Sequence, residues 1–122
     1  MGQLTLNECR ELGEAIADTI AADVKRPLLV ASSDMSHYEP DDVTRKKDRK
    51  AIDRILALDP SGLHRAVRSE QISMCGMIPA TVLLFATLRL GAKQAVLLKY
   101  ATSGEANRKF DQVVGYAGLA IL

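Results

Sequence analysis

The start of the chain carries apolar side chains at helical spacing. One face of the predicted helix repeats an apolar residue at every fourth position, namely Leu12, Ile16, Ile20 and Val24. Upstream, Thr5 is followed three residues later by Glu8, which is the capping-box signature of a helix N-terminus. The pattern predicts an amphipathic helix from about Leu6, with Cys9 packed in the core.

A different pattern begins after Pro27, where residues 28–31 form a short, continuous apolar run. The shortness of the run and its lack of alternation favour a strand covered on both faces, as in a parallel sheet. The polar segment 32–38 follows at the carboxyl end of this predicted strand, where open α/β sheets place their ligand sites. Its position marks this segment as a candidate site.

The rest of the chain predicts three more helices and two more strands. The first of these helices lies between residues 41 and 59, the second runs from Asp59-Pro60 to about Glu70, and the third runs from near Pro79 to Gly91. The two strands cover residues 95–100 and 113–122. The connection between the two strands is too short for a crossover helix, so they are expected to pair antiparallel. We therefore expect an α/β fold with a mixed central sheet flanked by helices.

Composition narrows the class of partner. The 122 residues carry a formal net charge of +1, so no chain-wide field attracts nucleic acid or anionic lipid. The two cysteines lie far apart and do not form the framework of a small secreted domain, which favours reduced thiols. No apolar stretch approaches the length of a membrane span. We expect one cytoplasmic α/β unit over residues 1–122 that binds neither membrane nor nucleic acid directly.

Two residues of the polar segment have side chains suited to chemistry. Asp34 and His37 supply a carboxylate and an imidazole, which serve as metal ligands or as acid/base groups. The alternative is structural, with Asp34 capping a turn and His37 lying at the surface without a role. The other histidine, His64, has no carboxylate or thiol at ligand spacing on its helix and is expected to be solvated.

Cys75 is a third candidate ligand, because it stands just before Gly76 and the predicted helix that contains Pro79. Its sulfur is expected near the helix N-terminus, where a thiolate is favoured. The alternative is that Cys75 is a small buried apolar side chain. Together Asp34, His37 and Cys75 offer mixed oxygen, nitrogen and sulfur ligands, which suit iron, copper or zinc better than magnesium or calcium.

The segment Ser32-Ser33-Asp34-Met35-Ser36-His37-Tyr38 resembles a signature of the Memo family. Further matches follow in the family's order and with similar spacing, at Asp48-x-x-Ala51-Ile52, Leu58-Asp59, Cys75-Gly76-x-Ile78-Pro79, Tyr100-x-x-Ser103-Gly104 and Val114-Gly115-Tyr116. The resemblance covers nearly the whole chain. It implies the C-terminal half of an α/β fold similar to the catalytic subunit of class III extradiol dioxygenases.

The resemblance also implies a metal cleft. In the family, histidines from the N-terminal half converge with the Asp and His of the signature and with the Cys of the C-G-x-x-P segment. Asp34, His37 and Cys75 match those last three positions. We therefore expect His37 and Cys75 to be ligands of iron, copper or zinc. We expect His37 and Asp34 to be the catalytic residues, with Asp34 either orienting a ligand or acting as an acid or base.

A full-length Memo protein is considerably longer, and we expect this chain to lack the N-terminal half. If the chain is an enzyme, the resemblance implies a metal-dependent oxidoreductase or dioxygenase-like reaction that is incomplete in this chain alone. The alternative is a non-catalytic binding or scaffold module that uses the same cleft for a peptide or protein. Expected partners are further copies of the chain, the absent half, or a protein associated with a radical-SAM enzyme, because uncovered strand edges favour association.

Overall fold

The computed structural model describes residues 3–122 of the chain. Its helices and strands follow in the order α1 Leu6–Ala21, β1 His37–Glu39, α2 Asp41–Leu56, α3 Pro60–Ser69, α4 Met77–Arg89, β2 Ala95–Thr102, α5 Gly104–Asn107 and β3 Val113–Ile121. The α/β class is confirmed, and so are the helices and the two C-terminal strands predicted from the sequence. Among the described residues, none of the helices is both long and apolar enough to cross a membrane.

Local sequence explains where two of the helices begin. At α1, Thr5 accepts a hydrogen bond from the Glu8 amide and the Glu8 carboxylate accepts one from the Thr5 amide, which completes the predicted capping box. At α3, the Asp59 carboxylate accepts from the Gly62 amide at 2.8 Å. A Cβ at Gly62 would stand 1.9 Å from that carboxylate, so this cap requires glycine at position 62.

The described sheet has three strands in the order β1-β3-β2, and both pairings are antiparallel. Strand β2 runs alongside β3 from the Ala95–Ile121 pair to the Thr102–Gly115 pair. Strand β1 pairs with β3 only near Val113 and Val114. The predicted antiparallel pairing of the two C-terminal strands is therefore confirmed.

Two groups of buried side chains form the core. The larger one lies between the sheet and helices α2, α3 and α4, and it includes Ile52, Leu63 and Leu84. The smaller one joins α1 to α4 and includes Cys9, which is fully buried as predicted. Helices α1 and α4 pack closely because Gly13 has no side chain, since a Cβ there would lie 2.7 Å from the Phe85 Cβ.

The predicted strand at residues 28–31 is wrong, and so is the parallel sheet inferred from it. The segment is not a strand, and within residues 3–122 its backbone forms no hydrogen bond with another backbone group. Leu28 is 87% exposed and Val30 is 76% exposed. An apolar run can specify an extended, buried segment, but a strand also needs a neighbouring backbone. The described part of the chain supplies no such neighbour here.

Candidate metal centre

Two loops bring together the three residues singled out from the sequence. Asp34 lies in the loop that leads into β1, His37 is the first residue of β1, and Cys75 lies in the loop before α4. One donor atom from each residue lies within 4.8 Å of the other two. The side chain of Asp34 is 48% exposed and that of His37 is 23% exposed, so a solvent species can reach the group.

His37 is held by the loop that carries Cys75. Its backbone N–H donates to Ser73 Oγ at 2.7 Å, and its ring Nδ1 lies 2.7 Å from the Ser73 carbonyl oxygen. Because a carbonyl oxygen can only accept, Nδ1 carries the proton in this hydrogen bond. Nε2 then presents its lone pair on the side of Asp34 Oδ2, which lies 3.4 Å away. Metal-binding histidines are usually fixed by such a bond from the other nitrogen.

Ser33 ties the two loops together around Cys75. Its hydroxyl accepts a hydrogen bond from the Gly76 amide at 2.8 Å and donates to the Asp34 carbonyl oxygen at 2.6 Å. The Asp34 amide lies 3.4 Å from Cys75 Sγ and donates to it. A Cβ at Gly76 would stand 2.4 Å from the Ser33 Cβ, so glycine at this position permits the close approach. Cys75 is exposed, which excludes the alternative of a buried apolar cysteine.

The geometry argues against a cysteine–histidine–aspartate relay. In such a relay one ring nitrogen faces the nucleophile and the other faces the carboxylate. Here Asp34 lies at Nε2 of His37, and Nδ1 is occupied by the Ser73 carbonyl oxygen. The carboxylate therefore lies on the same side of the ring as the free Nε2 lone pair, and not at the opposite nitrogen as the relay requires. Three donor atoms that lie within 4.8 Å of one another are close enough to bind one metal ion, which makes the group a candidate metal centre.

Comparison with known proteins identifies the family. A family model described as Memo-like protein matches residues 1–120. The chain belongs to the Memo family. A MEMO1 family protein of Methanopyrus kandleri is 44% identical over 98% of this chain and 42% of its own length. A MEMO1 family protein of Pyrobaculum aerophilum is 44% identical over 98% of this chain and 42% of its own length. One of Methanosarcina mazei is 39% identical over 99% of this chain and 45% of its own length.

The family resemblance read from the motifs is thus confirmed, and the α/β architecture fits the class III extradiol dioxygenase-like fold of Memo proteins. This chain spans less than half the length of the Memo relatives that it matches. The three candidate ligands all lie within the matched region.

Several of the Memo-like motifs meet behind the candidate site. Asp48 is fully buried, and its carboxylate accepts from the Ser36 amide at 2.8 Å and from the Tyr100 hydroxyl at 2.6 Å. Burial and the bond to Asp48 raise the pKa of Tyr100, so its hydroxyl remains a donor. Gly115 exchanges backbone hydrogen bonds with Met35 and Ser36, each at 2.9 Å. This buried network fixes the backbone immediately before His37.

Tyr38, directly after His37, was not predicted to be unusual. It has a φ of 56° and is the extra residue of a β-bulge, because His37 pairs with Val114 and Glu39 with Val113. The other non-glycine residues with positive φ, Leu58, Gln71 and Arg108, lie at the ends of helices. Tyr38 is 72% exposed, and its ring centroid lies 6.0 Å from that of His37. Strained backbone of this kind often accompanies functional sites.

His64 corrects another prediction. It was expected to be solvated, but it is only 9% exposed, and its Nε2 has no hydrogen-bond partner among the described residues. Pro60 and Val67, four residues before it and three after it, are also buried. The buried face of α3 therefore includes position 64, although the lack of a carboxylate or thiol at ligand spacing had suggested a solvated histidine. His64 is not part of the group formed by Asp34, His37 and Cys75.

Proposed function

We propose that Asp34, His37 and Cys75 form part of a transition-metal site in a metal-dependent Memo protein. In this proposal Nε2 of His37 and Sγ of Cys75 are ligands, and Asp34 orients the site or transfers protons. The observation that carries the proposal is that the three donor atoms converge within 4.8 Å while Nδ1 of His37 is held by the Ser73 carbonyl oxygen. The two loops fix this arrangement through hydrogen bonds rather than through exposed ion pairs.

The donor set fits iron, copper or zinc. A thiolate and an imidazole are ligands that these metals accept, whereas magnesium and calcium prefer oxygen. Such a metal would supply Lewis acidity or a redox centre, which is consistent with a redox or dioxygenase-like reaction. Within the chain, the half-exposed Asp34 carboxylate is placed to accept or donate a proton beside a bound molecule.

Metal analysis of purified variants tests this proposal. The tag-free chain is supplied in turn with iron, copper and zinc, desalted, and analysed for bound metal. We expect near-stoichiometric retention of at least one metal, lost in Cys75→Ser and in His37→Ala. Cys9→Ala and His64→Gln, which remove the other thiol and the other imidazole, should retain it. Equal metal content in the wild type and in Cys75→Ser, whether zero or one, would overturn the proposal.

A second candidate is a non-catalytic binding module that holds a peptide or protein at the same site. The exposure of Cys75 and Asp34 favours it, because metal-assisted chemistry works best in a site that excludes water. The two functions make different predictions for metal-free protein. A binding module should retain its partner after the metal is removed, and it should retain that partner in Cys75→Ser.

A further inference from the structure

A charged cleft lies between helices α2 and α3. It has a volume of about 370 Å³, and residues of both helices form its walls, among them Arg54 of α2 and Arg65 and Ser69 of α3. None of the three candidate metal ligands lines it. Small-molecule sites are concave spaces of about this size or larger. The α2–α3 cleft is therefore a second place at which the chain can hold a ligand.

Two ion pairs join α2 to both ends of α3. Lys50 Nζ lies 2.6 Å from Oε2 of Glu70, which is the C-cap of α3. Arg54 Nη1 lies 3.5 Å from Oδ2 of Asp59, which is the N-cap of the same helix. Ala66 lies in the cleft wall between these ends of α3, and its methyl group leaves room for a ligand. The cleft is thus held open between the two cross-links.

The α2–α3 cleft has an excess of positive charge. Three cationic and two acidic side chains line it, namely Lys50, Arg54, Arg65, Asp53 and Glu70. Both carboxylates already have a cationic partner, since Arg49 Nε lies 2.7 Å from Asp53 and Lys50 pairs with Glu70. Arg65 is exposed and forms no ion pair within residues 3–122. Its guanidinium is therefore available to an anion in the cleft.

We propose that the α2–α3 cleft binds the phosphate group of a small molecule, with the Arg65 guanidinium as the main contact. Ser69 lies one turn after Arg65 on the same side of α3 and offers a hydroxyl donor. Lys50 and Arg54 can turn toward the same anion, because exposed ion pairs such as theirs contribute little to stability. A phosphate has more acceptor oxygens than a carboxylate, so it can engage several of these donors at once.

The lining favours a small molecule over a nucleic acid or a membrane surface. It includes no aromatic side chain on which a base could stack, and no large apolar side chain that could enter a lipid layer. Apart from Gly62 and Ala66, every residue of the lining is charged or carries a hydroxyl. The part of the ligand that carries the phosphate is therefore expected to be small and polar.

NMR titration of the metal-free chain tests this proposal. Inorganic phosphate and glycerol phosphate are added in turn to the isotope-labelled chain at about pH 8, where phosphate is largely a dianion. We expect saturable shifts at Arg65 and Ser69, and an affinity that falls by about tenfold or more in Arg65→Gln. Arg68→Gln is the matched control and should change the affinity by less than about twofold. Arg68 is exposed on the same helix, forms no ion pair in the described chain and does not line the cleft.

A second variant separates the shape of the cleft from its charge. Ala66→Leu keeps every charged group and fills part of the space between the helices. It should weaken the binding of glycerol phosphate, whereas binding that depends on charge alone would be unchanged and would overturn the proposal. The amide spectrum of each variant shows whether its fold is retained.

The remaining outcomes also decide the proposal. Equal losses of affinity in Arg65→Gln and Arg68→Gln would overturn it, as would the absence of shifts at millimolar phosphate. Co-sedimentation with vesicles that contain phosphatidic acid tests the other source of a phosphate. Vesicle binding that Arg65→Gln abolishes, without binding of glycerol phosphate, would assign the cleft to a lipid headgroup and overturn the small-molecule claim. Cys75→Ser should bind phosphate as the wild type does, so the result is independent of the proposed metal site.

Discussion

Two consecutive stretches of the chain differ sharply in how they are held. The polar loop Ser33–Ser36 and the adjoining His37 are fixed by hydrogen bonds to Asp48, Ser73 and Gly115. The segment just before it, Pro27–Ala31, has no backbone hydrogen bond with another backbone group in the described residues. The polar loop therefore carries its geometry within this chain. The apolar segment is extended, but nothing in the described chain pairs with it.

The largest loss of stability should come from removing Asp48, whose carboxylate holds the polar loop in place. Asp48→Ala leaves the Ser36 amide and the Tyr100 hydroxyl buried without an acceptor. We expect a loss of about 3–5 kcal/mol in the free energy of unfolding, measured by urea denaturation. Asp53→Ala on the same helix removes only an exposed pair with Arg49 and should cost less than about 1 kcal/mol. Similar losses in the two variants would contradict the anchoring role.

Alanine substitutions at two glycines of β3, Gly115 and Gly118, should have smaller and more local effects on stability. A Cβ at Gly115 would stand 1.8 Å from Asp48 Oδ2, whereas a Cβ at Gly118 would meet nothing within 4 Å. Gly115→Ala should therefore lose about 1–3 kcal/mol, because the Asp48 network must move. Gly118→Ala should change the stability by less than about 1 kcal/mol. Thermal unfolding of both variants checks this difference, and equal melting temperatures would be incompatible with it.

At Tyr38, in contrast to Gly115, a glycine should be at least as stable as the native side chain. Its positive φ is strained for a tyrosine, and its side chain is 72% exposed. Tyr38→Gly is expected to leave the stability unchanged or to raise it by up to about 1 kcal/mol. Tyr116→Gly in the regular part of β3 should lower it by about 1 kcal/mol, since glycine weakens a strand. A clear loss of stability in Tyr38→Gly would show that its ring contributes to packing.

A pH-dependent contact ties α2 to the end of β2. Hydrogen bonds from Arg45 and Thr102 lower the pKa of Asp41 below its usual value. The contact should be fully stabilising above the ordinary aspartate pKa of about 3.9 and should be lost as the pH falls through the lowered value. Asp41→Asn should therefore be less stable than the wild type at pH 7, and the difference should shrink at pH 3. A gap that stays constant in urea unfolding across this range would exclude the linkage.

The smallest effect is expected in the apolar segment. Val30 is 76% exposed, and its backbone forms no hydrogen bond with another backbone group in the described residues. Val30→Lys should change the stability of the isolated chain by less than about 0.5 kcal/mol. Differential scanning fluorimetry is sufficient to measure this. A loss comparable with that of Gly115→Ala would show that the segment is held within this chain after all.

The same contrast explains what the sequence could predict. Local signals located the helices, because the capping box at Thr5 and the Asp59-Pro60 start act within a few residues. The strand at residues 28–31 was wrong, because a strand depends on a neighbour that its own residues do not encode. The face of α3 that buries His64 was misjudged for a similar reason, since the packing of α3 against other helices decides it.

The candidate site was predictable only in part. Asp34 and His37 are close in sequence, but their proximity to Cys75 depends on contacts across about 40 residues. Residue chemistry made all three candidate ligands, and the Memo resemblance was what implied that they meet in one cleft. The role of the Ser73 carbonyl oxygen leaves no sequence signal, because every residue has one. The conformation of Tyr38 arises from the register of β1 on β3, and residue type alone favours the opposite sign of φ.

The most direct test of the metal site is X-ray absorption spectroscopy of the metal-loaded chain. With zinc, we expect a sulfur scatterer at about 2.3 Å together with a histidine nitrogen at about 2.0 Å. The sulfur signal should disappear in Cys75→Ser and remain in Cys9→Ala. A bound metal surrounded only by oxygen and nitrogen in the wild-type chain would contradict the assignment of Cys75 as a ligand.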